Sequence, residues 1–281
     1  MTIAITGATG HLGQLVIEKI KQKVDASEIV ALVRTPAKAA GLGVATREAD
    51  YTRQDTLDVA LKGVDTLLLI SGNEIGQRAV QHENVIRAAV KNGVKRIVYT
   101  SLLHADKSPL NLAPEHVQTE QALKNSGLDY TILRNGWYSE NYTGSIAPAL
   151  GLGAFYGSAG EGKISSAPRE DYAEAAVVAL TGQGHEGKTY ELAGDEFYTL
   201  TDLAAEITAQ SGKDIPYRNI PEADYAAALK NAGLPDGFAE AIASWDTGAS
   251  QNALFDDSHV LSKLIGRKTT PIAVSVQKAL A

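Results

Sequence analysis

The 281-residue chain contains no cysteine. That absence removes disulfides, thiolate nucleophiles, Cys-ligated zinc and iron–sulfur clusters together. No apolar run approaches the roughly 18 residues of a membrane helix, and lysines at 19, 21 and 23 interrupt the first amphipathic stretch. Neither a signal peptide nor a membrane span is expected, and the cytoplasm is the expected compartment. Positive charge is also scarce: 26 Lys and Arg against 33 Asp and Glu leave a net charge of −7. Binding to a phosphate backbone leans on clustered basic side chains, so no nucleic-acid partner is expected. His11, His82, His104, His185 and His259 show no metal-ligand spacing, and no metal is expected. What remains is 44% hydrophobic and 21% charged, enough for a large core in one α/β domain or in one domain with a smaller lobe.

The chain opens MTIAITGATGHLG, with Gly7, Gly10 and Gly13 directly after the apolar run Ile3, Ala4, Ile5. Leu12, Leu15, Val16 and Ile20 follow at helical spacing. The glycines therefore sit in a strand-to-helix turn, where free N–H groups and the helix dipole suit a pyrophosphate. The spacing G-x-x-G-x-x-G departs from the commonest dinucleotide fingerprint, so context must support it. Context is ample in the first half. Ile29–Val33, Thr66–Ile70, Arg96–Thr100 and Tyr130–Leu133 are β-rich runs, and the segments 55–61, 77–92 and 114–125 between them are helix-like. Strands apolar throughout and separated by helices indicate a parallel sheet buried on both faces. Gly63, Gly93 and Gly127 stand where helices stop before strands. The expected fold is a doubly wound α/β sheet with its ligand crevice beyond the carboxyl ends of the strands. Past about residue 150 the pattern loosens into Gly- and Ser-rich turns, with helices over 171–180 and 200–210 and Thr199 or Thr201 as cap. Residues 1–150 are read as the NAD(P)-binding domain, and 151–281 as a smaller, dependent α+β lobe covering the substrate.

With ITGATGHLG on the first turn, the chain resembles the atypical branch of the short-chain dehydrogenase/reductase superfamily. VALVRTPAKA, DYTRQDTL, LLLISGNEIGQRAVQHENVI, YTSLLHAD, YTILRNGWYSENY, HEGKTYELAG and LFDDSHVLSKLIG make it similar to the NmrA-like group, closest to its NADPH:quinone oxidoreductase type and more distantly to triphenylmethane dye reductases. The resemblance covers nearly the whole chain. It implies a Rossmann-type fold, an NADPH cofactor and a quinone-like acceptor. It also implies cofactor contacts from the loop Asn135, Gly136, Trp137, Tyr138, Ser139 and Glu140, for which a buried structural loop is the alternative.

The residues argue for the same cofactor. NAD-selective sites place an Asp or Glu at the end of the second strand for the ribose hydroxyl; this chain has Arg34 there. A guanidinium pairs instead with a 2′-phosphate, although a solvated surface Arg reads the same. The glycine turn offers Gly7, Ala8, Thr9, Gly10, His11 and Leu12. Other strand ends offer Asp50 near the adenine, then Ser71, Gly72 and Asn73, then Thr100 and Ser101.

The catalytic Tyr and Lys four apart, common in the superfamily, are missing: none of the 11 tyrosines has a lysine four residues later. APEHVQTEQAL places His116 and Glu120 on one helix face instead. His116 is a candidate acid and Tyr138 a candidate for positioning the acceptor, while an exposed helix pair reads the same as the former. A quinone accepts hydride well and needs positioning more than acid catalysis. The expected function is thus NADPH-dependent hydride transfer to a quinone-like acceptor. A noncatalytic NADPH sensor, a reductase of triphenylmethane dyes or other activated acceptors, and a sugar-nucleotide epimerase or dehydratase are the alternatives; the missing Tyr–Lys pair disfavours the last. Oligomeric state is left open.

Overall fold

The structure, a computed structural model, describes residues 1–281. Its strands are β1 (Ile3–Thr6), β2 (Ile29–Val33), β3 (Ala45–Glu48), β4 (Thr66–Leu69), β5 (Arg96–Leu102), β6 (Asp129–Asn135), β7 (Phe155–Gly157), β8 (Lys188–Leu192) and β9 (Tyr217–Asn219). Its α-helices are α1 (His11–Ile20), α2 (Gln54–Ala60), α3 (Arg78–Lys91), α4 (Ala113–Asn125), α5 (Glu140–Thr143), α6 (Ile146–Leu152), α7 (Arg169–Thr181), α8 (Leu200–Ser211), α9 (Glu222–Asn231), α10 (Asp236–Ser250), α11 (Val260–Ile265) and α12 (Ile272–Leu280).

The chain divides into two compact units that interleave along the sequence. The first comprises residues 1–106, 112–135 and 169–191; the second comprises 107–111, 136–168 and 192–281. This differs from a single cut at 150. The sequence boundary followed composition, whereas α7 packs alongside α1 and returns 169–191 to the first unit.

The main sheet runs β3-β2-β1-β4-β5-β6-β8, and the five pairings linking β1 to β6 are parallel. β1, β2, β4 and β5 are buried residue by residue, as their unbroken apolar runs require when helices cover both faces. On one face Ala4, Leu32, Leu67, Leu69 and Ile97 join Leu57, Val85, Ala89 and Leu123 of α2, α3 and α4, and Leu61 just past α2, in one cluster. Ile3 and Ile5 alternate to the other face, where α1 meets β1 and α7 meets β4, β5 and β6. Full burial of such side chains stabilises the fold by about 1.5–3 kcal/mol each. β3 lacks an apolar run because it lies at the sheet edge, with its side chains half or fully exposed. The order of strand addition reverses between β1 and β4, running outward to β3 on one side and from β4 outward on the other, which sets a topological switch point beyond their carboxyl ends.

β5 and β6 run longer than their apolar cores, paired from Arg96 and Asp129 to Leu102 and Asn135. Ser101 and Asn135 therefore lie within strands, not in the loops beyond them.

In the second unit β7 and β9 form a parallel pair, α9 packs on α10 and α12 on α8. Thr199 caps α8 in a reciprocal box with Asp202, which decides between the two threonines.

Candidate cofactor site

The turn between β1 and α1 is built by glycines in distinct roles. Gly7 adopts φ +59°, a conformation that L side chains resist. A Cβ on Gly13 would lie 2.3 Å from Gly7 O and 2.8 Å from Ala8 Cα, so only glycine lets α1 rest on the turn. Gly10 donates to Gly7 O at 2.9 Å and stands as N-cap with no side-chain cap behind it. No acidic residue occupies the first turn of α1. Its leading N–H groups and dipole therefore face outward without an internal anion, beside the exposed Gly7, Gly10 and His11. Ala8 and Leu12 bury their side chains, so only their backbone is offered. Thr9 is fixed by Gln14, whose Nε2 donates to Thr9 O at 2.8 Å.

At the switch point lies a cluster that the sequence reading did not single out. Thr6 Oγ1 donates to Leu68 O and accepts from Ile70 N. The Tyr51 hydroxyl shares its proton between Thr6 Oγ1 and Ile70 O. Burial pushes the Tyr51 phenol well above its ordinary range, so it is neutral. Tyr51 follows Asp50 directly, and that adjacency was its only sequence signal.

Arg34, just past β2, is exposed; its Nη1 lies 3.1 Å from Glu74 Oε1. Asp50 is held by Thr52, which donates from N at 2.9 Å and from Oγ1 at 2.8 Å. Partial burial alone would raise the Asp50 carboxyl, but these hydrogen bonds and the positive charges of Arg34 and Arg53 outweigh it and lower its pKa.

The segment 71–77 is anchored from beneath. Ser71 N donates to Thr100 Oγ1 at 2.9 Å, and Gly72 O accepts from Arg78 Nε at 2.7 Å. Gly72 N donates to His82 Nε2 at 3.0 Å, so the His82 proton sits on Nδ1, 3.0 Å from Thr119 Oγ1. Burial, assisted by the charge of Arg78, holds His82 down at about 3. Glu115 accepts from Gly76 N and Ala79 N. Asn73 is exposed on this loop.

Ser101 departs from its expected role: its hydroxyl donates to Glu120 Oε1 at 2.7 Å, so it faces α4. Glu120 also accepts both Arg134 Nε and Nη2, at 2.9 and 2.8 Å. His116 is 4% exposed and bonds Tyr99 through Nδ1 at 2.7 Å. Spacing of four does place His116 and Glu120 on one face, yet their hydrogen bonds go to different partners. Burial first, then the charges of Arg78 and His82, keep the His116 imidazole well below its usual range.

Asn135 ends β6, and the residues after it belong to the second unit. Gly136 N donates to Leu192 O at 2.7 Å. Trp137 meets Trp245 edge to face at 5.7 Å. Tyr138 bridges Ala167, Ser139 bonds Ser166 at 2.9 Å, and Glu140 opens α5.

The first unit thus gathers Thr6, Gly7–Leu12, Arg34, Asp50, Tyr51, Ser71–Asn73 and Thr100 at or just past the carboxyl ends of adjacent strands. An uncapped helix N-terminus and an exposed guanidinium at the end of β2 fit a phosphorylated dinucleotide.

Comparison with known proteins agrees with that geometry. The NAD(P)H-binding family matches residues 7–183. Quinone oxidoreductase 2 of Escherichia coli K12 is 61% identical, with 98% of this chain and 97% of that protein covered. The crystal structure of the NADPH-dependent quinone oxidoreductase of Escherichia coli complexed with NADPH superposes with a TM-score of 0.97 at 59% identity, covering all of both chains. Triphenylmethane reductase of Citrobacter sp. complexed with NADP(H) superposes with a TM-score of 0.95 at 39% identity, covering 99% of this chain and 100% of that one.

Proposed function

Because the chain belongs to the NAD(P)H-binding family, we propose that it is an NADPH-dependent oxidoreductase that passes hydride to a quinone. The observation that carries the acceptor class is the full-length likeness to the Escherichia coli quinone oxidoreductase. NADPH, when bound, supplies the hydride. The chain's own work is to bind, orient and leave the acceptor reactive.

Within the turn Gly7–Leu12, the backbone N–H groups of His11 and Leu12 hold the pyrophosphate in this reading, supported by the uncapped start of α1, while the Gly10 N–H closes the turn on Gly7 O. Arg34 pairs with the 2′-phosphate, supported by its exposure just past β2 and by the guanidinium's match to phosphate. Asp50 and the segment Ser71–Asn73 flank the adenosine. Thr100 supports that segment through Ser71 N rather than by contact of its own. Trp137 and Tyr138 are assigned to acceptor positioning, with Asn135, Gly136, Ser139 and Glu140 shaping the same loop; resemblance supports these roles.

Hydride addition to a quinone gives a stabilised phenolate, which takes its proton from water. An obligatory side-chain acid is unnecessary, in keeping with a neutral His116 closed off against Tyr99. No helix is long and apolar enough to cross a membrane, and we place the protein in the cytoplasm with a small-molecule partner.

Oxidation of NADPH should be rapid with benzoquinone and slow with simple aldehydes. Tight NADPH binding without turnover on any quinone would leave a sensor in place of an enzyme. Reduction of triphenylmethane dyes is a second activity to test, favoured by the likeness to the Citrobacter reductase over the whole chain.

A further inference from the structure

The exposed Arg34 guanidinium is paired. Its Nη1 lies 3.1 Å from Glu74 Oε1, and the other oxygen of that carboxylate accepts from Gln81 Nε2 at 2.7 Å. Gln81 is 6% exposed on α3, so a side chain rooted in packed structure fixes the Glu74 carboxylate. Asp50 brings a second negative charge to the same guanidinium. All four residues belong to the first unit.

We propose that Glu74 is the counter-anion that a 2′-phosphate displaces from Arg34, and that it thereby sets how strongly the chain prefers NADPH over NADH. The inference rests on Arg34 as the 2′-phosphate partner. Without phosphate, Glu74 neutralises the guanidinium and holds it in place. Binding of NADPH exchanges one anion for another on the guanidinium, and breaking the Arg34–Glu74 pair costs affinity. NADH carries only a hydroxyl at that carbon and leaves the ion pair intact. Glu74 therefore weakens NADPH alone.

The test is calorimetric titration of NADPH and NADH into wild type, Glu74→Gln, Arg34→Ala and the double variant, at fixed ionic strength. Glu74→Gln keeps an acceptor for Gln81 while removing the charge. Its NADPH Kd should fall about two- to fivefold, the size of an exposed ion pair, while the NADH Kd changes by less than about twofold. In the Arg34→Ala background the gain should vanish, since the guanidinium mediates it. Glu74→Ala, which also gives up Gln81, should show the same selective gain. Unchanged NADPH affinity, an equal gain for both cofactors, or a gain that persists without Arg34 overturns the role of Glu74. Equal weakening of both cofactors by Arg34→Ala alone overturns the underlying 2′-phosphate reading instead, so the two failures are distinguishable.

Discussion

The Tyr99 hydroxyl and His116 Nδ1 lie 2.7 Å apart, with Tyr99 fully buried and His116 4% exposed. The pair ties α4 to the middle of the sheet. Replacing His116 by Ala should therefore cost about 1–3 kcal/mol of stability, from the lost hydrogen bond to a buried phenol and lost packing. Single-turnover hydride transfer to benzoquinone should slow by less than about tenfold, against the 100-fold or more expected of a general acid. A larger loss with cofactor and quinone binding unchanged would restore His116 as the proton donor.

His82 links stability to pH. Its native pKa is lowered to about 3, below its ordinary value of 6.5, so the unfolded chain binds the extra proton first as pH falls. The contribution is fully present above pH 6.5 and is lost progressively towards pH 3. Between pH 7 and pH 5 this one imidazole should remove about 2 kcal/mol of stability. Urea unfolding at the two pH values checks it, with His82→Gln expected to shrink the difference by about that amount while the buried His116 keeps its own share over the same window. An identical pH slope in wild type and variant would exclude His82 as its source.

Arg34→Ala should raise the NADPH Kd about 10- to 150-fold, the range of a charge-assisted hydrogen bond to phosphate, and leave NADH nearly unchanged. Arg34→Asp should widen the reversal, because its carboxylate repels the phosphate and accepts from the ribose hydroxyls of NADH. Titration of both cofactors at one salt concentration checks both variants. Equal losses would leave Arg34 as a support for its loop.

The glycines of the first turn should separate by role. Gly13→Ala places a Cβ 2.3 Å from Gly7 O, so α1 must shift; melting temperature and NADPH affinity should fall together. At Gly10 a Cβ would stand 3.2 Å from the same oxygen on an exposed N-cap. Gly10→Val should remain folded while losing NADPH affinity. Thermal melts beside calorimetry distinguish them, and a folded Gly10→Val protein with wild-type affinity would remove the pyrophosphate from this turn.

Local chemistry was enough for much of the fold. Apolar runs such as Thr66–Ile70 and Ile29–Val33, alternating with helix-like segments, indicate strands buried on both faces, and Gly7, Gly10 and Gly13 announce a turn whose backbone must bend sharply and lie close to a helix. The placement of Arg34 just past β2 was legible because it is counted along the chain. Tertiary structure decided what depends on partners distant in sequence. β3 has no apolar signature because only one neighbour covers it, and α7 returns to the first unit because its face fits α1. His116 and Glu120 share a helix face in any reading, yet Tyr99 claims one, and Ser101 and Arg134 claim the other. Glu74 sits 40 residues from the guanidinium it holds. Hydrogen bonding is short-ranged and directional, so sequence can list donors and acceptors, but only the packed chain assigns each to its partner.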